Sequence, residues 1–112
     1  MGGICGVYRM PDSGLPVSRE VVQRMAGRLA HRGPDGEGFS FDDRAGLGQR
    51  WSKIPDAETT NGPVLSEDRL VAVVFDGEIY NAHELREDLE KRGARFCTGN
   101  AAEIILRLYL HA

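Results

Sequence analysis

Apolar positions along the chain form short β-like runs and helical stripes separated by turn residues. Ile4-Cys5-Gly6-Val7-Tyr8-Arg9 predicts a strand almost at the first residue. Pro11 to Pro16 is punctuated by Pro, Asp, Ser and Gly, a turn. Ser18 caps a predicted helix running to about Ala30. Its Val21, Val22, Met25 and Leu29 form one stripe, while Arg19, Gln23, Arg24 and Arg28 face elsewhere. His31 to Gly38 reads as a loop, and Phe39–Phe41 with Leu47–Arg50 as a hairpin connected by Asp42–Gly46. Residues 51–68, with Pro55, Gly62 and Pro63, read as a surface loop. Leu70–Phe75 has the β-branched density of a buried strand, and Asp76-Gly77 turns the chain. Asn81 with Glu84 has the spacing of a capping box, opening a helix that carries Leu85 and Leu89 and stops at Gly93. Asn100 with Glu103 repeats that spacing before a last helix with Ile104, Ile105 and Leu108 on its apolar face. The order predicts an α+β chain. The terminal apolar helix needs cover, from its own sheet, from a partner or from further chain.

Composition narrows the function classes. The 112 residues suit one domain or part of one, and 41% apolar with 28% charged residues indicates neither disorder nor a membrane protein. A net charge of −3 with interspersed signs argues against nucleic acid or anionic membrane as partner. No run approaches a bilayer span, and the N-terminus lacks a signal-peptide pattern. Cys5 and Cys97 are too few for a disulfide scaffold and lack metal-ligand spacing, so a reduced cytoplasmic setting is expected, with no metal. Gly33 to Gly38 is not a phosphate loop, since Lys and Ser/Thr do not follow it, and no cofactor is expected. His83 and His111 read as solvated helix histidines.

Three segments carry a family likeness: Met1-Gly2-Gly3-Ile4-Cys5-Gly6-Val7, His31-Arg32-Gly33-Pro34-Asp35-Gly36 and Asp76-Gly77-Glu78-Ile79-Tyr80-Asn81. Arg50, Gly62-Pro63 and Thr98-Gly99 fall at matching places between them. The ordered set resembles the N-terminal glutaminase domain of glutamine-hydrolysing asparagine synthetases, within the class II glutamine amidotransferases. The resemblance implies an N-terminal-nucleophile hydrolase fold of αββα type, antiparallel sheets between helix layers. Only its N-terminal half would be present, so residues 1–112 are expected to be a partial domain. It also implies release of ammonia from glutamine for a separate ATP-consuming synthetase domain, whose nucleotide-binding sequence does not occur here. The expected partners are therefore an asparagine-synthetase-like ATP-dependent protein or a second copy, with a glutamine-like amino acid as ligand.

Carboxamide hydrolysis needs a nucleophile, a base, an oxyanion stabiliser and groups that hold the amino acid. In the family the initiator Met is removed and a Cys at the second position attacks. Here that position is Gly2, which has no attacking atom, so no catalytic residue is assigned. Cys5 lies inside the predicted strand and reads as a packed thiol. By resemblance, the substrate-binding positions are Arg50, Asp76, Gly77 and Glu78. Arg50 matches the grip on the glutamine carboxylate, a task that suits a bidentate guanidinium. Gly77 keeps a backbone N–H for the oxyanion hole, and Glu78 matches one partner of the α-ammonium. Asp76 stands where an Asn donor belongs; an ionised carboxylate only accepts and would repel developing negative charge. Ala101 stands where a second ammonium partner, an Asp, belongs. His31 is expected to hold the turn beside Arg32 and Asp35, and Trp51 and Lys53 replace apolar positions.

The expected function is a non-catalytic glutaminase-like scaffold associated with an amide-forming synthetase. The alternative is an active or partner-completed amidotransferase using Cys5. A third reading is an amino-acid sensor using Arg50 and Glu78 without turnover.

Overall fold

The computed structural model describes residues 2–52 and 62–111. Strand β1 (Gly3–Tyr8), helix α1 (Arg19–Arg28), strand β2 (Gly36–Phe41) and strand β3 (Ala45–Trp51) build the first half. The three strands pair antiparallel in the order β1-β3-β2. Asp42 makes the hairpin connection, its Oδ1 accepting from the Arg44 and Ala45 N–H groups at 2.7 Å each. Ser18 starts α1 as expected, with its hydroxyl accepting from the Val21 N–H at 3.2 Å. The helix packs on β1 and β3 through Val22 and Ala26, both fully buried. Gly46 of β3 permits that approach, because a Cβ there would lie 2.9 Å from both Val22 and Phe41 side-chain carbons.

The second half is a two-stranded ladder and two helices. Strand β4 (Val64–Leu65) pairs with β5 (Ala72–Val73), and helices α2 (Ala82–Lys91) and α3 (Ala101–Leu110) follow. Ser66 organises the β4–β5 turn, exchanging backbone and hydroxyl bonds with Val71. Leu89, Ala94 and Ile104 form a core between α2 and α3, flanked by Ile79, Ala82, Leu85 and Phe96. Helix α3 also rests on β4 and β5.

The α+β class, the first helix and the hairpin match the reading from sequence, although Val21 of the expected stripe is exposed; several other local expectations differ. The loop over 51–68 contains β4, while Lys53 and Pro55 fall outside the described residues. The strand over Leu70–Phe75 shrinks to Ala72–Val73, with Leu70 83% exposed at the turn. Asn81 makes no side-chain cap. Asn100 does cap α3 through the Ala102 N–H at 2.9 Å, but Glu103 closes no box with it. Instead the buried Glu103 carboxylate turns to the preceding loop, accepting from the Cys97 N–H at 2.9 and 3.2 Å and from the Thr98 N–H at 2.8 Å. The Thr98 hydroxyl donates to it at 2.7 Å. Glu103 and Arg107 thereby take inward positions on α3, and Leu108 turns outward.

The molecule is a plate of 43 × 35 × 19 Å. Its radius of gyration is 15.0 Å, against about 13 Å for a compact chain of this length. Its accessible surface is 7845 Å², against roughly 6,100 Å² for a compact monomer of its mass. Helix α1 covers one face of the three-stranded sheet. The register places Ile4, Gly6 and Tyr8 beside Gln49, Leu47 and Ala45 on the other face, where Ile4 and Tyr8 are exposed.

Candidate functional site

The start of β1, the end of β3 and the turn after β5 meet at one corner of the sheet. Gly2 is buried there, and its N–H donates to the Asp76 Oδ1 at 3.0 Å. Its carbonyl accepts from the Arg32 Nε at 2.9 Å. A Cβ at position 2 would lie 2.0 Å from the Arg50 carbonyl oxygen and 3.1 Å from the Trp51 Cα. Those are backbone atoms of the neighbouring strand, which move only if the ladder moves. The corner is closed around a residue with no side chain.

Arg50 is mostly buried, and its guanidinium is engaged within the chain. Nε donates to the Gly33 carbonyl at 2.8 Å, and Nη1 donates to the Glu37 Oε2 at 2.7 Å. Glu37 stands directly opposite Arg50 in the β2–β3 ladder, so this is a cross-strand ion pair. Next to it, the buried Gln49 donates its Nε2 to the Phe75 carbonyl at 2.9 Å. That bond ties β3 to the segment entering the Asp76-Gly77-Glu78 turn.

Gly77 turns the chain with φ 153°, a backbone that residues with a Cβ rarely adopt. Asp76 and Glu78 on either side of it are exposed. Ala101 is the first residue of α3, next to the Asn100 cap. The structure thus brings Gly2, the Arg50 backbone and Asp76 together and points the Arg50 side chain at Glu37.

Cys5 sits on the α1 side of the sheet. Its Sγ donates to the Val22 carbonyl at 3.8 Å, and burial pushes the thiol above its ordinary value, only partly offset by the Gly48 backbone. That environment favours the protonated, unreactive thiol. His31 is exposed and Arg32 holds Gly2, so in this loop the arginine makes the structural bond. Trp51 gains a physical account: its indole lies where a Cβ at Gly36 would be, 2.3 Å from Cε2, and approaches Gly62.

Reasoning from sequence missed Arg32, Glu37 and Gln49. Glu37 was findable, because the Asp42–Ala45 hairpin connection sets a register that puts it opposite Arg50. Arg32 and Gln49 act on backbone groups distant in sequence, and no local pattern signals that.

Two open hollows lie elsewhere. One of about 520 Å³ is lined by Arg9, Pro16, Val17, Arg19, Phe41, Asp42 and Asp43. Another of about 280 Å³ lies between β4 and α3, beside Glu103 and Arg107. Among the described residues no group of three or more His, Cys, Asp or Glu is placed to hold a metal ion. None of the described helices is long and apolar enough to cross a membrane.

Comparison with known proteins gives the corner a context. A family model described as "Glutamine amidotransferase domain" matches residues 1–112. The chain is 38% identical over 112 residues to asparagine synthetase [glutamine-hydrolyzing] 1 of Bacillus subtilis, covering 99% of this chain and 18% of that protein. It is 34% identical over 109 residues to asparagine synthetase [glutamine-hydrolyzing] 3 of Arabidopsis thaliana, covering 97% and 18%. The corresponding enzyme of Sandersonia aurantiaca is 36% identical over 109 residues, with 97% and 20% covered. The chain therefore spans about a fifth of the length of these relatives.

Proposed function

Because this chain belongs to the glutamine amidotransferase domain family, we propose that it is a non-catalytic glutaminase-like scaffold, associated with an ATP-dependent, amide-forming synthetase. The relatives are named as glutamine-hydrolysing asparagine synthetases, which makes an asparagine-synthetase-like protein the natural partner. The fold is the N-terminal half of an αββα layered domain. A sheet covered by a helix on one face only, and a second small ladder backed by α3, support this placement.

The Gly2 corner carries the proposal. The position that resembles the nucleophile has no side chain and no room for one, with the Arg50 carbonyl 2.0 Å from where a Cβ would stand. Asp76, in place of an oxyanion donor, turns its carboxylate to the Gly2 N–H. A carboxylate beside a developing oxyanion raises the barrier, and loss of one donor alone costs about 10²–10³ in rate. Arg50, Gly77 and Glu78 are the remaining substrate-like positions, and Arg50 is engaged by Glu37 and the Gly33 carbonyl. The Cys5 alternative is disfavoured by its protonated thiol facing α1.

The test is ammonia release from glutamine by the purified chain, alone and with a candidate synthetase. The expected result is release at the blank level in both. Glutamine-dependent release that disappears in Cys5→Ala would instead establish the enzyme.

A further inference from the structure

We propose that Glu37 is a built-in competitor for carboxylate ligands at Arg50, an autoinhibitory contact that an incoming amino acid has to displace. The inference rests on reading Arg50 as a carboxylate position and adds what controls it.

Arg50 already holds a carboxylate. Its Nη1 donates to the Glu37 Oε2 at 2.7 Å, the length of a charge-assisted bond. A guanidinium presents its donors in a rigid planar fork that matches carboxylate geometry. The chemistry this position accepts is thus visible in the contact it makes within the folded chain.

The two sides of the guanidinium are held differently. On the inner side Nε donates to the carbonyl of the buried Gly33 at 2.8 Å. Gly33 lies tight against the arginine, since a Cβ there would stand 2.8 Å from the Arg50 Cβ. That backbone contact aims the fork. On the outer side the Glu37 side chain is 48% exposed, against 14% for Arg50. An ion pair with a half-exposed partner is weak, because water competes for the carboxylate. Glu37 can swing into solvent while Gly33 keeps the guanidinium in place, so the fork is prepared and its stopper is displaceable.

The competition is direct. A ligand carboxylate seeking the same Nη1 meets the negative charge of Glu37, and two carboxylates side by side repel. Glu37 stands opposite Arg50 in the β2–β3 ladder, so its local concentration is fixed by the hairpin and not by solution. Every group in the contact lies within residues 33–50, in one hairpin and the loop leading into it, and it requires no chain beyond them.

Nuclear magnetic resonance of the full chain, following the Arg50 Nε–H signal during titration with L-glutamine, tests this. Wild type should bind weakly, and Glu37→Gln, which keeps the size without the charge, should bind roughly two- to fivefold more tightly. Glu37→Ala should show the same gain, so the result does not hang on one variant folding. Glutaminol, which lacks the carboxylate, should leave the signal unmoved in all three chains. Equal affinity in wild type and both variants overturns the competition and leaves Arg50 as a carboxylate position. Binding by none of the three, or an equal response to glutaminol, removes Arg50 as a carboxylate position and overturns the proposal together with that reading.

Discussion

The Gly2 N–H and the Asp76 carboxylate, 74 positions apart in sequence, meet at 3.0 Å. One contact thus joins the two positions that the resemblance marks as altered, a residue without a side chain and a carboxylate acceptor. With Arg32 holding the Gly2 carbonyl at 2.9 Å, the first residue of the corner is bonded through both backbone groups. The corner clasps the start of β1. Its consequences can be measured.

A thiol introduced at Gly2 should not confer glutamine hydrolysis. In Gly2→Cys the new Cβ would stand 2.0 Å from the Arg50 carbonyl oxygen, so β1 and β3 must part locally. Overpacking of this kind costs about 1–3 kcal/mol. Urea unfolding should show that loss, and ammonia release from glutamine should stay at the blank. A variant as stable as wild type that hydrolyses glutamine would contradict the clasp.

The Arg50 side chain should matter more for folding than its ion-pair partner does. Arg50→Ala removes both the Gly33 carbonyl bond and the Glu37 pair, whereas Glu37→Ala removes only the latter. The Glu37 side chain is half exposed, so its share should be under about 1 kcal/mol. Arg50→Ala should cost about 1–3 kcal/mol, because it leaves a buried carbonyl without its donor. Equal losses in thermal unfolding would place the weight on the ion pair instead.

Acid should loosen α3 through Glu103. Burial alone would raise this carboxyl, but the Cys97 amide, the Thr98 hydroxyl and amide, and Arg107 outweigh it and hold the group below its ordinary 4.5. The folded value lies below the unfolded one. The stabilisation is therefore complete above the unfolded value and is lost as pH falls through the folded value. Glu103→Gln should be about 1–3 kcal/mol less stable near neutrality, with a flatter decline below pH 4.5 than wild type. Parallel acid limbs for the two proteins would contradict this.

The two thiols should be distinguishable by alkylation. Cys97 is exposed, while Cys5 is partly buried and held protonated. Iodoacetamide at neutral pH should modify Cys97 first, and Cys5 should follow mainly on unfolding. A glutamine-mimicking electrophile should leave Cys5 free, and a covalent adduct there would support the enzyme reading. Mass spectrometry of proteolytic peptides reads both.

Much of the fold was legible because its signals are local. The Ser18 cap and the Val22 stripe write α1, and turn chemistry at Asp42 writes the β2–β3 hairpin. Legibility failed where a side chain served a distant backbone group. Glu103 has the spacing of a capping box with Asn100, yet it spends its oxygens on Cys97 and Thr98. Leu70–Phe75 reads as a buried strand, yet Asp68 and Ser66 bind the Leu70 and Val71 amides and draw the start of the run into a turn, leaving Ala72–Val73 as strand.

By itself the sequence determined the α+β class of the chain and the family it resembles, and residue identity alone says that Gly2 carries no side chain and Ala101 no charge. Tertiary structure decided what stands in their place. Whether a Cβ could fit at Gly2 beside Arg50 depends on the register of β1 against β3, and which carbonyls the Arg32 and Gln49 side chains reach depends on how distant segments pack. β1 and β3 are joined by no tight turn, so their register is set by pairing and packing across the sheet, and no single stretch of residues encodes it.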